Sequence, residues 1–301
     1  MKVTVSVIFA VFLVFFLPSV LLADSDDTAT PWTAGKELFG TLNYRSKYYT
    51  DWFPEPFRVE DTAIDSELRF DWEHDEAKGS RANTATAEIQ KSWGIFTFEL
   101  QAPYTATSAA IAADSDDQAV SRSSSGFSNV ELGGRLPLYQ YVSKSGLLDN
   151  TVGLNLEVGI PTNSVVSKNA QVAPGLFDDL AIGNRFSVQT LFTFSHTFGT
   201  VPAGRTSFQY GLAFGYAIED EAFRIPRVER LIPSVELVGN TVLDGRTAGA
   251  NALTGTAGLR AEFKSMGLFQ PSFGVGYIFP IDRGGRNELR WGLIASLSLE
   301  F

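Results

Sequence analysis

Asn287-Glu-Leu-Arg-Trp-Gly-Leu-Ile-Ala-Ser-Leu-Ser-Leu-Glu-Phe301 is the stretch on which the fold turns. From Leu289 every second residue is apolar: Leu289, Trp291, Leu293, Ala295, Leu297, Leu299 and Phe301. Between them stand Arg290, Gly292, Ile294, Ser296, Ser298 and Glu300. Side chains on a strand alternate between its faces, so the apolar set shares one face and the small or charged set the other, with Ile294 as the exception. A strand of a soluble sandwich carries such a pattern for roughly 5–6 residues. Here it persists from Leu289 to Phe301, the length of a strand that crosses an outer membrane at a tilt, roughly 9–11 residues. The competing expectation is the last strand of a secreted β-sandwich.

The other end of the chain fixes a compartment. Met1-Lys2 precedes an apolar run from Val3 to Ala23, interrupted by Thr4, Ser6, Pro18 and Ser19, and the run stops at Asp24-Ser25-Asp26-Asp27. A single positive charge, an apolar core and a small residue before an acidic start describe a secretory signal peptide, with cleavage expected after Ala23. Leu21 at the minus-three position is a weak match, and a retained N-terminal helix is the alternative.

The chain has no cysteine, which excludes disulfides and thiolate metal sites. It carries 24 Lys+Arg against 34 Asp+Glu, a formal net charge of −10. Removal of the signal peptide takes away Lys2 alone and makes the chain one unit more acidic. An acidic chain without basic clusters argues against nucleic acid as a partner. Mean hydropathy is +0.01, as expected where half of every strand faces lipid and half faces water.

Asp24 to Thr62 is irregular and aromatic, with Trp32, Phe39, Tyr44, Tyr48, Tyr49, Trp52, Phe53 and Phe57. We expect residues 24–62 to form a periplasmic segment or a plug in a lumen. From Ile64 the alternation becomes regular and defines a barrel over 63–301. Its clear apolar rows include Leu68-Phe70-Trp72, Phe96-Phe98-Leu100, Val152 to Ile160, Phe208 to Ile218 and Phe273 to Ile281. Val172 to Phe198 is read as two strands with a turn at Gly183-Asn184-Arg185. Only that division gives an even count of about twelve strands. It also places the short connections at Ser92–Gly94, Gly183–Arg185 and Ser265–Gly267 at one end. The polar loops Ala106–Ser125 and Pro161–Gln171, and the loop near Asp244, then fall at the other. The expected fold class is all-β: a transmembrane, antiparallel up-and-down β-barrel of about twelve strands, inserted in outer-membrane lipid. Trp72, Tyr104, Tyr216 and Trp291 suit aromatic girdles.

Phe98-Glu99-Leu100-Gln101-Ala102-Pro103-Tyr104, then Gly126-Phe127-Ser128-Asn129-Val130-Glu131-Leu132-Gly133-Gly134-Arg135, and the run Val152 to Thr162 resemble the outer-membrane transporter-like family named after the MetA pathway of phenol degradation. The resemblance covers roughly Ile64 to Phe301 and rests on alternation with a few Gly and Pro positions. Ser128-Asn129 departs from the Gly-Asp usual there. The resemblance implies an outer-membrane channel for small, including aromatic or hydrophobic, solutes, and supplies no catalytic residues. The terminal Phe301 resembles the signal that the barrel-assembly machinery reads.

The candidate site is the lumen-facing row. Alternation places Asp65, Glu67, Arg69, Asp71, Glu88, Glu99, Glu131, Arg135, Glu157, Glu236, Arg260, Glu262 and Arg290 there. Such charges either pair across strands and fill a narrow barrel, each exposed pair adding under about 1 kcal/mol, or set a field that favours cations. Enzyme chemistry is not expected. His74 and His196 are the only histidines, and neither has the partners of a general base at a defined spacing. His196 shares an apolar row with Phe192 and Phe194. Asp114, Asp116 and Asp117 lack the spacing of a calcium loop, so no cofactor or metal is expected. The two functional expectations are passive passage of small solutes and, alternatively, a structural or adhesive barrel with a blocked lumen.

Overall fold

The structure, a computed structural model, describes residues 55–59, 66–93, 96–111, 120–143, 145, 147–164, 166–183, 185–199 and 205–301. The predicted leader over 1–23 lies outside the described residues, as does Asp65. Within the described residues the chain is a closed antiparallel barrel of twelve staves. In order these are β1 (Glu67–Ala77), β2 (Ser80–Trp93), β3 (Phe96–Ile111), β4 (Val120–Phe127) with β5 (Val130–Val142), β6 (Leu148–Ile160) and β7 (Gln171–Ile182). They continue with β8 (Phe186–Thr197), β9 (Thr206–Tyr216) with β10 (Ile218–Glu219), β11 (Val228–Val242), β12 (Asn251–Phe263), β13 (Gln270–Pro280) and β14 (Trp291–Glu300). β4 and β5 are one stave broken at Ser128-Asn129, since both pair with β3. β9 and β10 are one stave broken at Ala217, since both pair with β11.

The last strand closes the barrel. β14 pairs with β13 on one side and with β1 on the other, from Glu67 opposite Glu300 to Glu76 opposite Trp291. A closed ladder leaves no edge, so the wall's backbone polar groups are satisfied within it, as lipid requires. The expected division of Val172–Phe198 is observed, with β7 and β8 joined through Gly183 in the left-handed region at φ 59. Two short helices close connections at opposite ends: α1 (Asp220–Phe223) leads into β11 and α2 (Arg283–Glu288) into β14. No helix among the described residues is long and apolar enough to cross a membrane.

The alternation sorts the two faces as expected. On β1, Phe70 is 50% exposed on the outer wall while its neighbour Arg69 is 5% exposed. Leu156, Phe194, Val235, Leu259, Val275 and Leu297 are likewise exposed on the outside. In a water-soluble protein so continuous an apolar belt would be anomalous; in lipid it is the required solvent contact. Trp72, His74 and Trp291 form a row on that wall, the first pair stacked with ring centroids 6.0 Å apart and the second tilted at 5.2 Å.

One expected loop is partly strand. Residues 106–125 were expected as a surface loop, yet β3 runs to Ile111 and β4 begins at Val120. The two pair from Tyr104 opposite Phe127 to Ile111 opposite Val120, with the Thr107 and Ser124 hydroxyls 2.7 Å apart. Polar Ser and Thr stretches form strands where hydroxyls pair across the ladder. Among the described residues β4 has only β3 as a strand neighbour, so this hairpin overtops the adjacent β6.

Candidate functional site

The lumen holds a piece of the chain itself. Residues 55–59, Glu-Pro-Phe-Arg-Val, lie inside the barrel, with Glu55, Phe57 and Val59 buried. Their principal anchor is Glu236 of β11, which is fully buried. Its carboxylate accepts three successive backbone N–H groups, from Phe57 at 2.5 Å, Arg58 at 2.8 Å and Val59 at 3.1 Å. Consecutive N–H groups turned to one side form a concavity suited to an anion, and a charged acceptor strengthens each bond.

Two guanidinium groups hold the other end. Arg69 on β1 reaches the Glu55 carboxylate at 2.8 Å and donates to the carbonyls of Pro56 and Phe57 at 3.0 and 3.1 Å. Arg260 on β12 reaches the second Glu55 oxygen at 2.8 Å and donates to Ser272 Oγ at 2.9 Å. Arg69 also pairs with Asp71 at 2.7 Å. Arg58 leans outward along the lumen, donating to Thr254 Oγ1 at 2.9 Å and approaching Glu73 at 3.4 Å.

Apolar contacts seat the side chains. Phe57 packs with Ile278, Leu289 and Ile294. This accounts for Ile294, the one large apolar residue on the polar face of β14. The ring lies over Gly258 and Gly274, where any Cβ would collide with it, at 2.6 Å from Phe57 Cε1 in the case of Gly274. The Arg260 guanidinium sits 5.0 Å from the ring centroid, within reach of a cation–π contact. Val59 packs with Phe177, Leu191 and Ala213.

Two cavities flank the segment. One, of about 210 Å³, is bounded by Arg58, Val59, Leu191, Gln209, Tyr210 and Asn240 among others. The other, of about 170 Å³, lies among Arg58, Arg69, Asp71, Glu88 and Gln101. The opposite wall carries a separate cluster: Arg135 donates to Gln90 Oε1 at 2.5 Å and pairs with Glu99, to which Gln101 also donates.

Of the lumen-facing candidates, Glu67, Arg69, Glu88, Glu99, Arg135, Glu236, Arg260 and Glu262 are buried inside the barrel. Asp71, Glu131 and Glu157 are half-buried. Arg69, Asp71, Glu236 and Arg260 gather around residues 55–59. Glu99 and Arg135 form the second cluster, Glu157 accepts from Asn155 at 2.9 Å, and Glu262 accepts from Arg230 at 3.3 Å. Arg290 precedes β14 and is exposed at the barrel end.

The sequence offered residues 24–62 as a periplasmic segment or a plug, but did not single out Glu55–Val59, nor Glu55 as the carboxylate that accepts from Arg69 and Arg260. Phe177, Leu191, Ile278 and Ile294, apolar residues on otherwise polar faces, were the available signal.

At the ends of the barrel, carboxylates pin loops. Asp244 accepts from the N–H groups of Thr206 at 3.0 Å and Arg205 at 2.5 Å, which hold its carboxyl below the usual range. Burial pushes the Asp282 carboxyl up, but bonds from the N–H groups of Gly285 and Leu253 and from Asn251 outweigh it and hold it low. His196 hydrogen-bonds Thr206 Oγ1 through Nδ1 at 3.0 Å. His74 does the same with Asn83 Oδ1 at 2.9 Å. No group of three or more metal-ligating side chains occurs among the described residues.

This barrel is similar to an outer membrane channel from Pseudomonas putida F1, with a TM-score of 0.55 and 13% identity over 83% of this chain and 100% of that one. At that identity the likeness shows the fold. The NanC porin follows with a TM-score of 0.45 and 9% identity over 78% of this chain and 98% of its own. The KdgM porin follows with a TM-score of 0.40 and 12% identity over 77% and 98%. No family model and no curated protein matches the sequence.

Proposed function

We propose that this chain is an outer-membrane channel for passive passage of small solutes, with residues 24–62 acting as a plug of its lumen. The observation that carries the reading is the combination of an apolar outer wall with a charged interior that holds residues 55–59. A soluble sandwich would bury its apolar face and expose its charges; this barrel does the reverse. In this reading residues 1–23 direct export and are removed after Ala23. Phe301 presents the C-terminal signal to the barrel-assembly machinery, and residues 63–301 form the membrane unit. The charged lumen, from Glu67 and Arg69 through Glu236, Arg260 and Glu262, sets which solutes pass. The family resemblance extends the solute class to aromatic or hydrophobic compounds. No enzymatic role is assigned.

The seated pentapeptide also favours a second reading, a structural barrel whose lumen stays blocked. Single-channel recording separates the two. The full-length protein in a planar bilayer is expected to give small steps, and deletion of residues 24–62 to enlarge them several-fold. Steps unchanged by the deletion reject the plug. A protein that inserts yet stays silent in both forms favours the blocked barrel.

A further inference from the structure

The contacts made to residues 55–59 have the composition of a solute site, and this inference rests on the channel reading above. Three features meet there. Arg69 and Arg260, both buried, grip the two oxygens of one carboxylate at 2.8 Å each. Gly258 and Gly274 leave a slot that takes a phenyl ring, with the Arg260 guanidinium 5.0 Å from its centroid. Glu236 accepts three N–H donors, the first from the ring-bearing residue itself. An ammonium group offers three N–H donors from a single atom. The wall also keeps a spare donor, since Arg260 Nε is buried without a hydrogen-bond partner among the described residues.

We propose that the lumen binds zwitterionic aromatic dipeptides, and that residues 55–59 occupy that site as a built-in competitor. The solute's ammonium replaces the N–H groups at Glu236. Its ring replaces Phe57 over Gly258 and Gly274. Its carboxylate replaces Glu55 between Arg69 and Arg260. A zwitterion has no net charge, so the acidic lumen does not repel it, whereas a simple carboxylate meets Asp71 and Glu88 in the cavity beside Arg69. Binding is in competition with the segment, so occupancy is modest and release is easy, which is what a passing solute needs.

The test uses the full chain in proteoliposomes with three labelled probes. Phenylalanyl-glycine carries ring, ammonium and carboxylate. Phenylalaninamide lacks the carboxylate, and glycyl-glycine lacks the ring. Entry of phenylalanyl-glycine is expected to saturate and to exceed that of either other probe about tenfold. Arg260→Gln should erase the preference over phenylalaninamide. Phe57→Ala, which weakens the competitor and leaves the wall intact, should lower the half-saturating concentration of phenylalanyl-glycine. Retention of the compact, unboiled electrophoretic form certifies that each variant has folded. Equal, unsaturable entry of all three probes alongside persisting potassium chloride steps overturns this inference and spares the channel. Absence of both steps and entry overturns the channel reading and this inference with it.

Discussion

Glu236 shows how much one side chain decides. It lies at the middle of a stave, fully buried, and its carboxylate gathers the N–H groups of residues 57, 58 and 59. A glutamine there keeps the shape but offers a single oxygen and turns an NH₂ toward donors. Each hydrogen bond to a charged acceptor contributes about 1.5–3 kcal/mol. Glu236→Gln is therefore expected to loosen the segment by about 2 kcal/mol, or roughly 30-fold in its unseated population. Amide hydrogen exchange at Phe57, Arg58 and Val59 should rise by that factor while the strands stay protected. Unchanged exchange would show that the arginines and the Phe57 slot seat the segment without Glu236. The sequence placed Glu236, Arg69 and Arg260 on the inner face, because alternation reports facing. It could not show that they converge, because strands far apart in sequence meet across the lumen only once the barrel has closed. The partner was legible only as part of a possible plug over residues 24–62, because five irregular residues have no period that singles them out.

At the scale of the strand, period two was legible wherever the outer face was continuously apolar, as in β6, β9, β13 and β14. It failed where both faces are polar. The β3–β4 hairpin is held by Thr107, Ser124 and the ladder between them, and its composition is that of a loop. β11 begins at Val228, ahead of its apolar row, with a register irregularity between Val228 and Arg230. The two faces also differ in what they tolerate. Val275 lies at the middle of β13, is 49% exposed on the outer wall, and pairs with Leu259 and Ala295. Arginine at such a lipid-facing position costs about 2–4 kcal/mol near the midplane. Gln209 of β9 borders the 210 Å³ cavity instead. Val275→Arg should lower the free energy of unfolding by about 2–4 kcal/mol in urea titrations from lipid vesicles, and Gln209→Arg by under about 1 kcal/mol. Equal losses at the two positions would contradict the assignment of outer wall and lumen.

For the whole molecule, the decisive feature is the seam where the last strand meets the first. β14 carries the ladder on both its edges, so Leu297 stands between Phe70 of β1 and Phe273 of β13. A closed ring of hydrogen bonds cannot fray from an edge, because it has none; opening needs several bonds of one seam to break together. Detergent alone therefore should not unfold the barrel, and heat should. The expected result is a compact, fast-running band in unboiled samples and a slower band after boiling. Leu297→Pro keeps an apolar residue on the outer wall but removes a strand N–H that the ladder uses, which is why proline is confined to sheet edges and bulges. Its compact band should convert at a clearly lower temperature than that of the parent chain, while a proline placed at Ser123 of β4, which among the described residues pairs with β3 alone, should leave the conversion temperature close to the parent value. A parent protein that runs identically with and without boiling would contradict closure, and with it the lumen in which residues 55–59 are held.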